Sequence, residues 1–562
     1  MAPQQRIIID TDPGVDDVLA LLLALSATPE EVEVLLISVT YGNVELDSCL
    51  KNVVALFHVL EKEKEWRKSK GLPQGFTAAE TSKPIVAVGA CHPLAEEILM
   101  ADFFHGRDGL GGVHDSHPHL SPSDAWKSLF TPAPPGSTDD EIENTKELGT
   151  PSAAFTASKA PAHKEILRLL RENEPNTITI LAVGPLTNLA TAAAEDPETF
   201  LRVKEVVVMG GTINTPGNIT PVAEFNTYAD AVATARVFAL TSPLPSSTMP
   251  PALPEAKTAL APYPKKLSKQ LKLSLFPLDI TERHLLPKSV FDAKVEPLVG
   301  AGSPLAEWVS VFMNMTYQKI NSLTEGFADP GLSLHDPLTV WYVLTQSNPS
   351  WKAAPGAPED IRVETAGQWT RGMHTVDRRN RRRQGGPKPT DDADQAQADA
   401  SMQGDDGEGN LVNDEYGWLT VWKGNRINRI AESPGDLAFA PYLLDPSPLR
   451  GSQRDDGIAS STSAHLGLRA SSTPGKPGLQ SRWQERGYAT TGPKIITKFE
   501  ELPKTYTDLG GLPYYARPLA KKEVAALFGR EIDPAVADKV LRVLQGRRVA
   551  GTLADPSLPR PH

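Results

Sequence analysis

The chain has 562 residues and a formal net charge of −12 at pH 7. The acidic balance argues against nucleic acid as the main partner, and no segment approaches the roughly twenty consecutive apolar residues of a membrane-spanning helix. The only cysteines, Cys49 and Cys91, imply no disulfide framework and favour a reducing compartment, so we expect a cytoplasmic protein. The segment MAPQQR before the first predicted strand is too short and too polar to be a signal peptide.

The first predicted unit is a strand, a turn and a helix between Arg6 and Ala27. The β-branched run Ile7–Ile9 predicts a buried strand, Pro13-Gly14 predicts a turn, and the apolar residues from Val18 to Leu25 predict a helix. In an open α/β sheet, such a junction is the carboxyl edge of a strand, where ligands usually bind.

Carboxylates are concentrated at this junction, namely Asp10, Asp12, Asp16 and Asp17. The positive end of the helix dipole alone explains Asp16 and Asp17 as good helix starters. It does not explain Asp10 and Asp12, because packed carboxylates raise each other's pKa unless a cation or hydrogen bonds compensate. A hard divalent cation with oxygen ligands is the usual compensation, so the segment favours a metal site over a purely structural helix start.

The rest of the pattern alternates strands with helices. Strands are predicted over 32–40, 84–89, 177–183, 203–209 and 275–280, helices over 47–60, 163–173, 304–320 and 338–344, with another helix opening at 187–188. Segments 361–377 and 419–430 are expected to be a closing hairpin or strands. This alternation predicts an α/β fold, with a mostly parallel central sheet flanked by helices in a Rossmann-like core.

Two domains are expected, a catalytic domain over residues 1–445 and a C-terminal extension over 446–562. Composition predicts disordered insertions in the first domain near 61–82, 121–162, 243–272 and 378–415. The last of these begins with an arginine run, which we interpret as a solvated basic surface and not as a nucleic-acid site.

The extension is expected to be largely disordered, with low complexity first and short helices after it. Its segment near 463–490 resembles the cleavage region of a mitochondrial transit peptide, which cannot target a protein from an internal position in the ordinary way. We therefore hypothesise that the extension is a fused or mispredicted second reading frame.

Polar side chains also follow other predicted strands. Asn43 follows the strand at 32–40, and the loop after the strand at 203–209 carries Asn218, Glu224 and Asn226. Each has a structural alternative, because asparagine is common in turns, and Glu224 and Asn226 can cap a helix that starts near Asp230.

A set of short motifs occurs in a fixed order: DTDPGVDD at 10–17, TYGN at 40–43, GPLTN at 184–188, MGG at 209–211, GN at 217–218, AEFN at 223–226 and HDP at 335–337. Together they resemble the inosine-uridine preferring nucleoside hydrolase family, over roughly residues 6–444 without the insertions. The resemblance implies an N-ribosyl hydrolase that cleaves purine or pyrimidine ribonucleosides to free base and ribose. It also implies a homodimer or a homotetramer.

The resemblance further implies roles for individual residues. The implied calcium ligands are Asp12, Asp17, the main-chain carbonyl of Val183, and Asp336. The residues implied to hold the ribose hydroxyls are Asp16, Asn43, Asn218, Glu224 and Asn226. Asp12 is also implied to be the base that activates a calcium-bound water, while Asp10 supports the loop. The family usually has threonine where Val183 stands, which should be harmless because the ligand is a main-chain oxygen.

These roles agree with the chemistry of the reaction. Cleavage of an N-glycosidic bond develops oxocarbenium-like charge on the ribose, so an anion-rich site is appropriate. His335 is the candidate general acid, because an imidazole with a pKa near 6.5 can donate a proton to the leaving base at cellular pH. The alternative is a histidine that is only hydrogen-bonded in a loop before a helix.

Two other functions compete with this one. An aspartate-nucleophile phosphohydrolase also opens with a strand that ends in Asp-x-Asp, but it carries Thr or Val where Gly14 stands, and it leaves the HDP and AEFN motifs unexplained. A calcium-dependent nucleoside-binding or ribose-binding protein that has lost catalysis is the second alternative. The presence of both Asp12 and His335 argues against it.

Overall fold

The computed structural model describes residues 3–130, 154–251, 260–323, 328–378 and 424–434. The C-terminal extension, nearly all of the predicted insertion at 378–415 and the central parts of those at 121–162 and 243–272 lie outside the described residues. In the part that is described, no helix is long and apolar enough to span a lipid bilayer.

The described strands, in chain order, are β1 (Gln5–Thr11), β2 (Val32–Val39), β3 (Ile85–Val88), β4 (Thr156–Ala157), β5 (Ile178–Ala182), β6 (Glu205–Met209), β7 (Leu273–Phe276), β8 (Leu285–Pro287), β9 (Gly331–Ser333), β10 (Lys352–Ala353), β11 (Ile361–Val363), β12 (His374–Val376) and β13 (Asn428–Glu432). Nine of these described strands form one sheet in the order β10-β13-β7-β6-β5-β1-β2-β3-β4. Neighbours in this sheet are parallel, except for the antiparallel edge pair of β10 and β13. The predicted α/β fold with a mostly parallel sheet is confirmed.

Helices connect these strands. The described α-helices are Val15–Ser26, Leu46–Ser69, Thr77–Ser82, Asp102–His105, Val113–Ser116, Ala162–Glu172, Thr187–Glu195, Pro197–Phe200, Phe225–Ala229, Ala231–Ala239, Leu278–Thr281, Lys288–Gly300, Pro304–Leu323 and His335–Leu344. Short 3-10 helices cover Pro118–Leu120, Asp124–Leu129 and Pro245–Ser247.

The strand order places a crevice beside β1. From β1 the chain adds β2, β3 and β4 on one side, and it then returns to add β5, β6 and β7 on the other side. The direction of winding therefore changes between β1 and β5. In a parallel sheet, the loops that leave the carboxyl ends of two such strands diverge and open a ligand crevice. These loops begin at Asp12 and at Val183.

Hydrophobic cores cover both faces of the sheet. Ile7 and Ile9 belong to one core and Ile8 to the other, because successive strand side chains point to opposite faces. The Val15–Ser26 helix is buried from Val15 to Leu25 and packs against the His335–Leu344 helix. This packing brings together the two chain segments that carry the first and last motifs.

The structure corrects the predicted end of the helix after Asn43 and the disorder predicted directly after that helix. The helix predicted over 47–60 continues to Ser69, and Thr77–Ser82 is also helical, so disorder near 61–82 is wrong for these residues. The charged residues after residue 60 suggested an insertion, but Glu63 and Arg67 are buried as an ion pair with an N···O distance of 2.6 Å. Glu63 also accepts a hydrogen bond from the Ser303 hydroxyl at 2.6 Å.

The predicted disorder at 121–162 is wrong at both ends of the segment. Asp124–Leu129 forms a 3-10 helix, and β4 joins the sheet next to β3. Phe155 is buried, and its ring centroid lies 5.0 Å from that of Phe57. This aromatic packing orders a segment whose composition alone suggests disorder.

The later strands agree with prediction only in part. The strand predicted over 275–280 ends at Phe276, because Pro277 has no N–H for the ladder, and Leu278–Thr281 is helical. Of the two alternatives expected for 361–377 and 419–430, a closing hairpin or strands, the described residues form strands. β11 pairs with β12, and β13 joins the main sheet parallel to β7.

Candidate active site

Asp17 organises the loop after β1. One carboxylate oxygen accepts hydrogen bonds from the Thr11 hydroxyl at 2.6 Å and the Asp12 amide at 3.2 Å. The other accepts from the Gly14 amide at 3.0 Å and the Asn43 side-chain amide at 2.9 Å. The local sequence produces this arrangement because Asp17 is the third residue of the helix, from where its carboxylate reaches back to the amide of the N-cap residue Gly14.

Asp12 lies between the loops that follow β1, β2 and β5. Its Oδ2 accepts the Asn43 backbone amide at 2.7 Å, and its main-chain carbonyl accepts the Asn43 side-chain amide at 3.1 Å. Its Oδ1 is buried without a hydrogen-bond partner. A Cβ atom at Gly42 or Gly184 would overlap with the Asp12 carboxylate, so both positions require glycine.

Three carboxylates converge at this point. Oxygen atoms of Asp16, Asp17 and Asp336 all lie within 4.8 Å of one another, and all three side chains are buried. Asp336 occupies the first turn of the His335–Leu344 helix, and its packing against the Val15–Ser26 helix brings it there. The structure thus brings Asp336 together with Asp17, and it adds Asp16, which the sequence analysis assigns to the ribose.

The cluster is electrostatically unfavourable without a compensating charge. Burial, followed by the charge of Asp17, raises the pKa of Asp16 to about 8. Burial and the neighbouring carboxylates also raise the pKa values of Asp12 and Asp336 well above their usual range. The ion pairs that the described Lys and Arg residues form involve none of these carboxylates.

These residues fit a hard divalent cation. The donor set consists of carboxylate oxygens, and the unpartnered Oδ1 of Asp12 is a buried oxygen that still needs a positive partner. The Val183 carbonyl, which the resemblance implies as a ligand, accepts a hydrogen bond from the Asn226 side-chain amide at 2.8 Å. A carbonyl oxygen has two lone pairs, so this bond leaves one free.

Glu224 caps a helix and also faces the cluster. Its carboxylate accepts hydrogen bonds from the amides of Gly211 at 2.7 Å, Asn226 at 2.7 Å and Thr227 at 3.0 Å. The helix that it caps begins at Phe225, so the single helix expected near Asp230 is in fact two helices. Glu224 still contributes to the field of the site, because its charge helps to raise the pKa of Asp16.

Asn218 differs from the other predicted ribose ligands. It is solvent-exposed, and its side-chain oxygen accepts a hydrogen bond from the Phe225 amide at 2.9 Å. Asn43 and Asn226, by contrast, are buried and hydrogen-bonded to Asp12 and Val183. The structure therefore brings Asn43 to the Asp12 and Asp17 carboxylates and Asn226 to the Val183 carbonyl, but it leaves Asn218 in an exposed loop.

His335 begins the helix that carries Asp336. Its Nδ1 is 2.8 Å from the Thr281 hydroxyl, and burial lowers its pKa to about 4. The ordinary pKa near 6.5 predicted for His335 is therefore wrong, because the ring is removed from water. At neutral pH the imidazole is uncharged and offers a single N–H as a donor.

His105 is a second imidazole at this site, and no sequence motif indicated its role. Its Nδ1 accepts a hydrogen bond from the Val15 amide at 3.2 Å, and a Cβ atom on Gly14 would lie 2.7 Å from that nitrogen. Burial and then His335 lower its pKa to about 4. In the sequence, His105 stands directly before a glycine-rich segment. This pattern predicts a loop, but it does not predict that the loop lies beside the aspartates.

Asp10 lies in β1 and supports the loop that follows this strand. Its Oδ1 accepts hydrogen bonds from the Ser38 hydroxyl and, at 2.8 Å, from the Asn188 side-chain amide. The Asn188 oxygen in turn accepts the Ala90 amide at 2.8 Å. Asn188 therefore connects β1, β2 and the segment after β3, in keeping with the expected structural role of Asp10.

Similarity to known proteins agrees with this geometry. The family model described as "Inosine-uridine preferring nucleoside hydrolase" matches residues 7–403. The uncharacterized protein C1683.06c of Schizosaccharomyces pombe is 29% identical over 374 residues, which cover 66% of this chain and 89% of that protein. The pyrimidine-specific ribonucleoside hydrolase RihA of Salmonella arizonae is 28% identical over 371 residues, which cover 66% of this chain and 88% of that protein.

A solved structure is also similar. The purine-preferring ribonucleoside hydrolase from Gardnerella vaginalis is 21% identical, with a TM-score of 0.45 over 66% of this chain and 88% of that one. The match to the family model extends across most of the chain and includes every motif that forms the site. This chain belongs to the inosine-uridine preferring nucleoside hydrolase family and is an N-glycosyl hydrolase of ribonucleosides.

Proposed function

We propose that the chain hydrolyses purine or pyrimidine ribonucleosides to free base and ribose, with a calcium ion held by Asp12, Asp17, Asp336 and the Val183 carbonyl. The observation that carries this proposal is the convergence of buried carboxylates from the first and last motifs beside the unpartnered Oδ1 of Asp12. Calcium suits this set because it takes six to eight oxygen ligands in flexible geometry. When bound, it would hold the sugar diol and make a nearby water more acidic.

Asp12 is the proposed general base. Asn43 holds one oxygen of its carboxylate, while the other has no hydrogen-bond partner and can accept a proton from water. Gly42 and Gly184 provide the space that this carboxylate occupies, because a Cβ atom at either position would overlap with one of its oxygens. The hydrogen bond from the Asn43 amide holds the base in place before substrate arrives, which reduces the entropic cost of the reaction.

Ribose recognition is assigned to Asp16, Asn43, Glu224 and Asn226, with Asn218 contributing from its exposed loop. The first four are buried and lie around the carboxylate cluster, so their oxygens and amides can replace water at the sugar hydroxyls. The negative charge of Asp16 and Glu224 also favours the positive charge that develops on the ribose as the bond to the base breaks.

His335 is proposed to assist the leaving base. Its ring is neutral and therefore carries one N–H. With the Thr281 hydroxyl bound to Nδ1, this N–H would lie on Nε2 and donate a hydrogen bond to the base. A base that is a poor leaving group would benefit more from this donor than a group that departs readily as a stable anion.

Turnover of a nucleoside panel tests the proposed function. Purified protein with calcium is incubated with inosine, guanosine, adenosine, uridine and cytidine, and free ribose is measured. Release of ribose from at least one of them is expected, and the ranking gives the base preference. Calcium-dependent nucleoside binding without ribose release would instead identify a binding protein that has lost catalysis.

We also propose that the protein is a homodimer or a homotetramer in the cytoplasm. Light scattering of the purified chain measures its assembly, and a monomer at micromolar concentration would refute the first part. Cell fractionation measures its compartment, and recovery in the mitochondrial fraction would refute the second part.

A further inference from the structure

A glycine-rich segment from His105 to Gly112 lies over the edge of the active site. Its Gly106, Gly109, Gly111 and Gly112 have positive φ angles of 83°, 82°, 64° and 79°. Side chains other than glycine rarely adopt such angles, so the segment has a conformation that its own backbone does not strongly favour over others. Side-chain hydrogen bonds must therefore select this conformation.

Part of the selection comes from Asp108 within the segment. Its Oδ1 accepts hydrogen bonds from the Leu110 amide at 2.9 Å and the Gly112 amide at 2.8 Å. These bonds fix the local turn. They do not attach the turn to the rest of the protein.

Asn52 makes that attachment. It belongs to the Leu46–Ser69 helix and is fully buried. Its side-chain nitrogen donates one hydrogen bond to the Pro13 carbonyl and one to the Asp108 carbonyl, each at 2.8 Å. Its side-chain oxygen lies 2.8 Å from Nε2 of His114. A single amide thus connects the aspartate loop to the middle of the glycine-rich segment and to His114 just after it.

The directions of these bonds are determined by chemistry. Both carbonyls can only accept, so the Asn52 nitrogen must face them and its oxygen must face His114. The Nε2 of His114 therefore carries the hydrogen, and its Nδ1 accepts from the Ser121 hydroxyl at 2.8 Å. Every polar group in this network has a partner, which makes the arrangement specific.

Gly109 allows the segment to approach Asn52. A Cβ atom at this position would lie 2.8 Å from the Asn52 nitrogen and 3.0 Å from a methyl group of Val44. The contact thus requires both a glycine in the segment and an asparagine in the helix.

We propose that Asn52 is a positioning residue for nucleoside hydrolysis, which fixes the 105–112 segment to the Pro13 carbonyl and so keeps His105 on the Val15 amide beside Asp12. This rests on the proposed function, because its kinetic consequence requires turnover. Its structural consequence does not require turnover and can be measured in the resting protein.

Amide hydrogen exchange tests the structural consequence. In Asn52→Ala, peptides covering 105–117 should exchange at least about tenfold faster than in the wild type. The reason is that the segment can open locally without breaking the two hydrogen bonds that Asn52 donates to the Pro13 and Asp108 carbonyls. Asn425→Ala is the matched control, since Asn425 is also buried and donates to a carbonyl, that of Ile361 in β11. It should leave exchange over 105–117 unchanged, and equal protection in Asn52→Ala would overturn the proposal.

Kinetics test the positioning role. Asn52→Ala should lower kcat by about 10- to 100-fold, the scale expected when a group near the chemistry is misplaced. Added to His105→Ala, it should cost less than about threefold more, because the two changes affect the same group. Losses that multiply in the double variant would show that Asn52 does not act through His105.

The two failures are distinguishable. If the wild type releases no ribose, the proposed function fails while the exchange result still decides whether Asn52 holds the segment. If Asn52→Ala does not fold, His114→Ala breaks the same network from the side of the segment. It should also increase exchange over 105–117, and unchanged protection there would refute the network.

Discussion

Asp336 and Asp17 place carboxylate oxygens within 4.8 Å of each other, in the first turns of two helices that pack together. The positive ends of both helix dipoles therefore face the same small volume. The two dipoles partly stabilise the buried carboxylates. The repulsion that remains between these carboxylates favours binding of a divalent cation.

Replacing Asp12 by asparagine should lower ribose release by about a thousandfold or more, because both the base and one proposed calcium ligand are lost. Initial rates on the preferred nucleoside measure the effect. Asp124→Asn is the control, because Asp124 is exposed in a 3-10 helix away from the cluster, and it should keep the wild-type rate. A near wild-type rate in Asp12→Asn would place the base elsewhere.

Calcium removal should abolish turnover, and calcium should stabilise the protein. Ligand present at 100 times its Kd adds about 2.7 kcal/mol to the free energy of unfolding. Asp336→Asn should weaken calcium binding at least about tenfold in calorimetry, because it removes one charge from the cluster. If the chelator-treated, folded wild type produces no heat with calcium, the metal assignment is wrong.

Replacing His335 by alanine should slow cleavage of natural nucleosides more than that of a nitrophenyl riboside, whose leaving group needs no donor. The ratio of kcat/KM between the two substrates measures this selectivity. Equal losses on both substrates would contradict a role for His335 in base departure.

Gly42→Ala should displace the Asp12 carboxylate and lower the rate at least about a hundredfold, because the new Cβ overlaps with that group. Gly300→Ala is the matched control, since a Cβ there meets no atom within 4 Å and Gly300 ends a helix. Both proteins should fold, as judged by circular dichroism. Unaltered kinetics in Gly42→Ala would mean that Asp12 tolerates a shift.

His374 should make folding stability depend on pH. Its ring is buried against Gly211 and Phe238, and burial lowers its pKa from 6.5 to about 4. As pH falls below 6.5 the unfolded chain gains a proton that the folded protein does not, so stability is lost between pH 6.5 and 4. At 1.36 kcal/mol per pKa unit, the loss reaches about 3 kcal/mol.

Urea unfolding of the wild type and His374→Asn at pH 7 and pH 4.5 isolates this contribution. Other groups titrate equally in both proteins, so the difference between them reports on His374. The variant should lose less stability than the wild type over this interval. Identical losses would show that the ring is hydrated in the folded protein.

Sequence by itself determined the features that depend on neighbouring residues. The run Ile7–Ile9, the Pro13-Gly14 turn and the helix after it follow from local preferences, and their alternation with later strands is enough to predict a parallel sheet. The ordered motifs also indicated the family, because each motif contributes a loop at the same edge of that sheet.

Only the tertiary structure decided the features that depend on distant contacts. Asp16 joins Asp17 and Asp336 because two helices pack, and the helix after Asn43 extends to Ser69 because Ser303 helps to satisfy buried Glu63. The low pKa of His335 likewise results from burial by elements far apart in the chain. Burial and long-range packing sum contributions from many segments, so no local pattern encodes them.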